Sequence, residues 1–138
     1  NKNNYYTKLQ NLEIINSKLN DNDFNDINIL NIYLLDFLLA NEKIKTRSKK
    51  MIENIVELLK KQEYELFDYL MLNLENKKEF INELILINSG IWDLIIKNNK
   101  YTKQTLIEYM TIILENATTN RVIDILKNDN VIKFAIKS

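Results

Sequence analysis

The second half of the sequence repeats its pattern at an interval of about forty residues. When residues 66–99 are shifted forward by this interval, apolar residues fall on apolar residues and polar residues on polar ones. The matched pairs include Leu66 with Leu106, Tyr69 with Tyr109, Leu74 with Leu114, Ile85 with Ile125 and Ile96 with Ile136. A period of this length in a helical sequence predicts stacked helical repeats, in which each unit buries its apolar face only against its neighbours.

The chain of 138 residues contains one glycine and no proline. Both residues destabilise helix interiors, so their scarcity favours helices joined by short polar links. A single glycine also excludes the glycine-rich loops that bind phosphate, and no alternating apolar and polar runs indicate strands. We therefore expect a single all-α domain that covers residues 1–138.

Apolar residues at helical spacing predict eight or nine helices. The most apolar segment, 24–40, is expected to be central because it is apolar on more than one face. Gly90 is expected to end a helix in the left-handed conformation that glycine adopts readily. The predicted helices cover residues 5–19, 24–40, 49–61, 63–74, 80–88, 91–97, 102–117, 121–126 and 131–136.

Histidine and cysteine are both absent, which removes most catalytic chemistry. Without them the chain lacks the commonest general base, the commonest metal ligand and any thiolate. We expect no enzyme activity, no catalytic residue, no metal and no cofactor. Six acidic residues lack the spacing of a calcium loop and predict a solvated acidic face. These residues are Glu63, Glu65, Asp68, Glu75, Glu79 and Glu83.

Charge and hydropathy limit the partners that the chain can bind. The net charge is zero, so no overall field attracts nucleic acid or anionic lipid, and no segment is apolar enough to span a membrane. Protein is the expected partner. One dense basic run is either a contact patch or a solvated link between helices. It consists of Lys43, Lys45, Arg47, Lys49 and Lys50.

The start and end of the sequence indicate a piece of a longer protein. The chain begins without methionine and without a signal peptide, and it ends within a repeat. We expect an intracellular, cytoplasmic protein encoded by an AT-rich genome. The apolar residues Phe134 and Ile136 near its end predict self-association through an uncapped C-terminal repeat.

Residues 63–138 resemble the armadillo repeat, a unit of three helices. The segment 84–96 is similar to the step between the first two helices, with Gly90 where that family places its glycine. Segments 70–74 and 113–117 are similar to the ends of third helices, and residues 1–62 fit as a degenerate repeat. Asp93 replaces the usual proline, and Asn130 replaces the glycine in the next repeat. The resemblance implies a right-handed α-solenoid, with HEAT-type repeats as the alternative.

The resemblance also implies where a partner binds. In this family the third helices line a concave groove, and peptide-binding members carry an aromatic residue four positions before an asparagine. Tyr69 and Asn73 keep this spacing, whereas Ile112 and Asn116 keep only the asparagine. These four residues would lie on the groove of a non-catalytic scaffold that binds a protein or peptide. The alternatives are a structural subunit inside a cytoskeletal, ciliary or organelle assembly, and the regulatory domain of an enzyme.

Aromatic side chains leave two further alternatives open. Trp92, the only tryptophan, is either a surface anchor for a partner or, as we expect, a core residue that follows Gly90. Four tyrosines either line the groove or lie half-buried at helix edges with their hydroxyls in water. These are Tyr64, Tyr69, Tyr101 and Tyr109.

Overall fold

The computed structural model describes residues 32–40 and 45–137, and this part of the chain forms eight helices and no strand. The all-α prediction is therefore confirmed for these residues, while the predicted helix 5–19 and residues 24–31 of the predicted helix 24–40 lie outside them. The helices are α1 (Ile32–Ala40), α2 (Lys45–Lys60), α3 (Glu65–Asn73), α4 (Lys77–Ile87), α5 (Ile91–Ile96), α6 (Lys103–Asn116), α7 (Thr119–Leu126) and α8 (Asp129–Lys137).

The predicted ranges give one long helix followed by two short ones, both in α3–α5 (the first unit) and in α6–α8 (the second unit). The structure shows this pattern only in the second unit. There α6 has 14 residues, α7 has 8 and α8 has 9. In the first unit α3 has 9 residues and is shorter than α4, which has 11. The reason is that α4 begins at Lys77, three residues earlier than predicted. Helix α2 likewise begins at Lys45, so part of the predicted basic link is helical.

The expected left-handed conformation at Gly90 is wrong. Gly90 has φ −85° and ψ 17°, and among the described residues only Gln62, just after α2, has a positive φ. The amide of Gly90 instead donates to the side-chain oxygen of Asn88 at 2.9 Å. The Asn130 amide donates in the same way to Asn128 at 2.8 Å. Asparagine therefore makes both turns by bonding the backbone two residues on, and neither turn needs glycine.

Helix α4 lies at the centre of the described core, where it packs against α1, α2, α6 and α7. Helix α5 packs against α2 and α8. Burial of the apolar segment in α1 is confirmed for Leu35 and Leu38, and Trp92 is a core residue with 2% of its surface exposed. The largest fully buried side chains are Trp92, Phe67, Phe80, Leu35, Leu38, Met51, Ile52, Ile55, Leu59, Leu70 and Met71.

Two polar side chains connect helices that are far apart in sequence. Asp36 of α1 accepts from the backbone amides of Glu75 and Asn76, at 3.2 and 2.9 Å, just before α4. Asn82 of α4 bonds the turn between α6 and α7, donating to the Asn116 carbonyl at 3.0 Å. It also accepts from the Thr118 amide at 2.8 Å. These bonds fix where α4 and α7 begin relative to the helices on which they pack.

Candidate functional site

The predicted groove residues of α3 lie at its C-terminal end and are exposed. Tyr69 exposes 38% of its surface, and Asn73 is also exposed. The Asn73 side-chain amide donates to the Tyr69 carbonyl at 2.9 Å, which orients it along the helix. Leu72, between them, exposes 58% of its surface. The end of α3 therefore presents two apolar side chains and an oriented amide on its surface.

The predicted groove residues of α6 repeat this hydrogen bond. The Asn116 amide donates to the Ile112 carbonyl at 2.7 Å, again four residues earlier. Both side chains are half-buried, so this pair is less accessible than the pair on α3. Leu114 between them is exposed. The two pairs are thus built alike, and they differ in how much of each side chain a partner could touch.

Helices α3 and α6 are held together by Asp68. The Tyr109 hydroxyl of α6 donates to the Asp68 carboxylate at 2.6 Å, and the Tyr101 hydroxyl donates to the same oxygen. Beside this contact, the ring of Phe67 meets that of Tyr109 edge-on at 5.8 Å. Asp68 directly precedes Tyr69 on α3, and Tyr109 lies about one turn before Ile112 on α6, so the two predicted groove pairs are on neighbouring helices.

The interpretation of Asp68 as part of a solvated acidic face is wrong. We call Asp68, Tyr101 and Tyr109 the Asp68 cluster. Its carboxylate is half-buried and accepts two hydroxyls, while Glu63, Glu65, Glu75 and Glu79 are exposed as predicted. Glu83 is half-buried. The carboxylate is committed to structural hydrogen bonds, and across the described residues no three acidic side chains group as metal ligands would.

Of the four tyrosines, Tyr69 is exposed, while the other three donate their hydroxyls to protein acceptors and not to water as the alternative from the sequence supposes. Tyr69 is exposed at the end of α3, whereas Tyr64 and Tyr109 are buried and Tyr101 is half-buried. The Tyr64 hydroxyl donates to the Leu94 carbonyl at 2.7 Å, and its ring meets that of Tyr101 at 5.6 Å. These three tyrosines therefore connect the start of α3 and Asp68 with α5, the segment after it and α6, and Tyr69 is the one of the four that remains available to a partner.

Burial raises the pKa of both tyrosines in the Asp68 cluster, and their hydrogen bonds to the carboxylate raise it further. Burial likewise raises the pKa of Tyr64, with a smaller contribution from the negative charge of Asp68. Each tyrosine is therefore held in its neutral, hydrogen-donating form. The neutral tyrosines stabilise the contact of α3 with α6 through their hydrogen bonds and do not serve as bases.

The predicted basic patch extends into α2. Lys43 lies outside the described residues, Lys45 and Arg47 lie in the first turn of α2, and Lys49 is exposed. Lys50 is half-buried and lines a surface depression together with Glu53, Asn54 and Glu57. Mixed charge along this face favours intrahelical ion pairs, such as Lys60 with Glu57 at 3.1 Å. The contact-patch hypothesis stays a prediction.

Comparison with known proteins adds no relative: no protein-family model, curated protein or solved structure matches this chain. The armadillo resemblance therefore stays a prediction that rests on the residues quoted for it. Within the described ranges, no helix combines the length and apolar character needed to cross a membrane.

Proposed function

We propose that this chain is a non-catalytic scaffold that binds a protein or peptide along α3 and α6. The observation that carries the proposal is the exposure of Tyr69, Leu72 and Asn73 on a helix that the Asp68 cluster fixes against α6. The bond to Tyr69 uses one of the four hydrogen-bonding positions of the Asn73 amide. The others suit the backbone of an extended peptide, and the adjacent apolar side chains suit its side chains.

The packing order supports the further proposal that the helices form a right-handed, armadillo-like solenoid. Contacts run from α1 to α4 to α7 and, in parallel, from α2 to α5 to α8. Asp36 bonds the turn before α4, and Asn82 bonds the turn before α7, so each layer is joined to the next in a similar way. In such a stack α3 and α6 would be successive third helices, and the surface along them would be the concave groove.

A structural subunit within a large assembly is the second candidate. It is favoured by apolar side chains exposed at several separate places. Leu86 on α4, Ile123 on α7 and Ile136 on α8 are exposed in addition to the residues of α3. A subunit enclosed by neighbours would cover all of these places, whereas a groove-binding scaffold needs a partner only along α3 and α6.

A crosslinking pull-down from the cells that produce the protein distinguishes the two candidates. Tyr69→Ala/Asn73→Ala removes the proposed contacts, and Glu57→Ala/Lys60→Ala removes an exposed pair on α2 as the matched control. The scaffold proposal expects one major partner to be lost from the first variant and kept by the second. An unchanged set of many stoichiometric neighbours would instead identify a structural subunit. Circular dichroism verifies that both variants fold.

A further inference from the structure

The last two helices bury one side and leave apolar side chains on the other. Helix α7 buries Ile125 and α8 buries Val131 in the common core. Ile123, two residues before Ile125, lies nearly opposite it on α7 because successive residues turn by about 100°. Ile132 and Ile136 lie one turn apart on the side of α8 away from the core, and Ile136 exposes 79% of its surface. We call the sides of α7 and α8 that lie away from the core the α7–α8 outer face; it carries Ile123, Lys127, Asp129, Ile132, Lys133 and Ile136.

In the preceding helix pair, α4 and α5, the residue that corresponds to Ile132 is covered by another helix. Forty residues before Ile132 in the sequence period stands Trp92 of α5. Trp92 is buried against Phe134 of α8, with 4.9 Å between the ring centroids. Ile132, by contrast, exposes 39% of its surface. The outer face thus exposes the apolar Ile132 at the position where α5 has Trp92, which is covered by α8. This indicates that the outer face is suited to bind a further helix.

Helix α8, which covers α5, would not suit the outer face, because the outer face has a lysine where α5 has an aspartate. Asp93 of α5 accepts from the side-chain amides of Asn128 and Asn130, at 2.7 and 2.9 Å. The residue forty positions after Asp93 is Lys133, whose ammonium offers only donors. A helix that docks here must therefore present an acceptor where α8 presents amides to Asp93. A carboxylate is the acceptor that best complements a lysine.

The remaining charges of α7 and α8 also favour an acidic partner. Residues 119–137 carry four cationic and two acidic side chains. Asp124 contacts both Arg121 at 3.2 Å and Lys127 at 3.8 Å, and Asp129 is exposed one turn before Lys133, so the four cations still outnumber the two acids. This disfavours the self-association expected from Phe134 and Ile136, because a second copy placed face to face here would bring lysines against lysines and Phe134 packs on Trp92. An acidic partner would instead meet complementary charge, which promotes association and excludes basic competitors.

We propose that the α7–α8 outer face binds an acidic amphipathic helix of a partner protein. Its apolar residues would pack on Ile123, Ile132 and Ile136, and its carboxylates would meet Lys127 and Lys133. Helix-in-groove recognition of this kind uses apolar anchors one turn apart, which is the spacing of Ile132 and Ile136. The proposal does not depend on the groove along α3 and α6, so either can fail alone.

The test uses the whole chain and two synthetic helical peptides with the same leucine face, one bearing glutamates and the other lysines. Binding is measured by peptide fluorescence anisotropy and by emission from Trp92, which contacts α8 through Phe134. We expect the acidic peptide to bind at least about tenfold more tightly than the basic one. Ile136→Glu should weaken the acidic peptide by a similar factor, and Leu86→Glu, an exposed leucine on α4, should have no effect.

Charge reversal completes the test. Lys133→Glu should weaken the acidic peptide and strengthen the basic one, which a general loss of folding would not do. Equal binding of both peptides, or undiminished binding to Ile136→Glu, would overturn the proposal. A wild-type dimer that Ile136→Glu converts to a monomer would also overturn it, because a second copy would then cover the face.

Discussion

Asp68 is the residue on which the arrangement of α3 and α6 most depends. Asp68→Ala would leave the buried Tyr109 hydroxyl without its acceptor, and such a loss costs about 1–3 kcal/mol. We expect the free energy of unfolding, measured with urea, to fall by this amount. Glu65→Ala removes an exposed acid from the same helix and should change it by less than about 0.5 kcal/mol. Equal effects of the two substitutions would contradict the structural role of Asp68.

The tyrosines of the Asp68 cluster predict how stability changes at alkaline pH. Their pKa is raised in the folded state, so the folded protein holds these protons more tightly than the unfolded chain. Their contribution is complete below the ordinary tyrosine pKa of about 10 and is lost as the pH rises through the higher folded value.

We therefore expect the urea midpoint of the wild type to fall more steeply above about pH 10 than that of Tyr101→Phe/Tyr109→Phe. Absorbance at 295 nm should show two more tyrosines that ionise only on unfolding in the wild type than in the variant. Parallel pH profiles for wild type and variant would contradict the assignment.

Gly90 is expected to tolerate replacement by alanine. At its φ of −85° alanine is unstrained, and an added Cβ would meet only the Asn88 side-chain oxygen, at 3.2 Å. Gly90→Ala should change the free energy of unfolding by no more than about 1 kcal/mol, because lower entropy of the unfolded chain offsets the close contact. Thermal unfolding measures this. A loss above about 2 kcal/mol would support the left-handed conformation expected from sequence.

Individual residues show why the sequence predicted the core better than the polar contacts. Trp92 was predicted to be buried because it follows Gly90 in an apolar pattern, and it is. The partners of Asp68 are 33 and 41 residues away, so nothing near it in the sequence separates it from the exposed acids. The forty-residue period also pairs Tyr69 with Tyr109, although one is exposed and the other buried. Whether a side chain is exposed or buried depends on how the helices pack, and the sequence period alone does not determine that packing.

Among the helices, α8 is the element whose attachment can be tested directly. Asp93 of α5 accepts two amides from the turn before and the first turn of α8. Asp93→Ala removes both bonds, each worth about 0.5–1.5 kcal/mol or more with a charged acceptor. We expect the amides of 129–137 to exchange with solvent roughly tenfold faster while those of α4 do not change. Glu115→Ala, an exposed acid on α6, is the control, and matching exchange in both variants would contradict the prediction.

The existence of each described helix follows from apolar spacing, whereas some boundaries depend on contacts made elsewhere. The bounds of α3, α5 and α6 lie within about two residues of those predicted. The start of α4 was missed because Asp36, forty residues earlier, bonds the Asn76 amide immediately before it. No local pattern reveals a contact of this kind. The sequence therefore predicts elements well and their ends less well.

At the scale of the whole molecule, composition predicts the all-α fold found in the described residues, whereas it does not predict the order in which the helices pack. Scarcity of glycine and proline favours helices, and the absence of alternating apolar and polar runs argues against strands, but many arrangements of the same helices remain open. The contacts from α1 to α4 to α7 depend on Asp36 and Asn82, which look like ordinary surface residues in the sequence. The proposed groove and the α7–α8 outer face both depend on this packing.

The most direct test of the central claim compares the two proposed surfaces in one quantitative crosslinking experiment. The wild type, Tyr69→Ala/Asn73→Ala and Ile136→Glu are produced in the same cells, and their crosslinked partners are measured by mass spectrometry. We predict that one major partner is lost from the α3 variant and retained by Ile136→Glu. If the α3 variant retains every partner of the wild type at the same level, the claim that α3 and α6 bind a protein is contradicted.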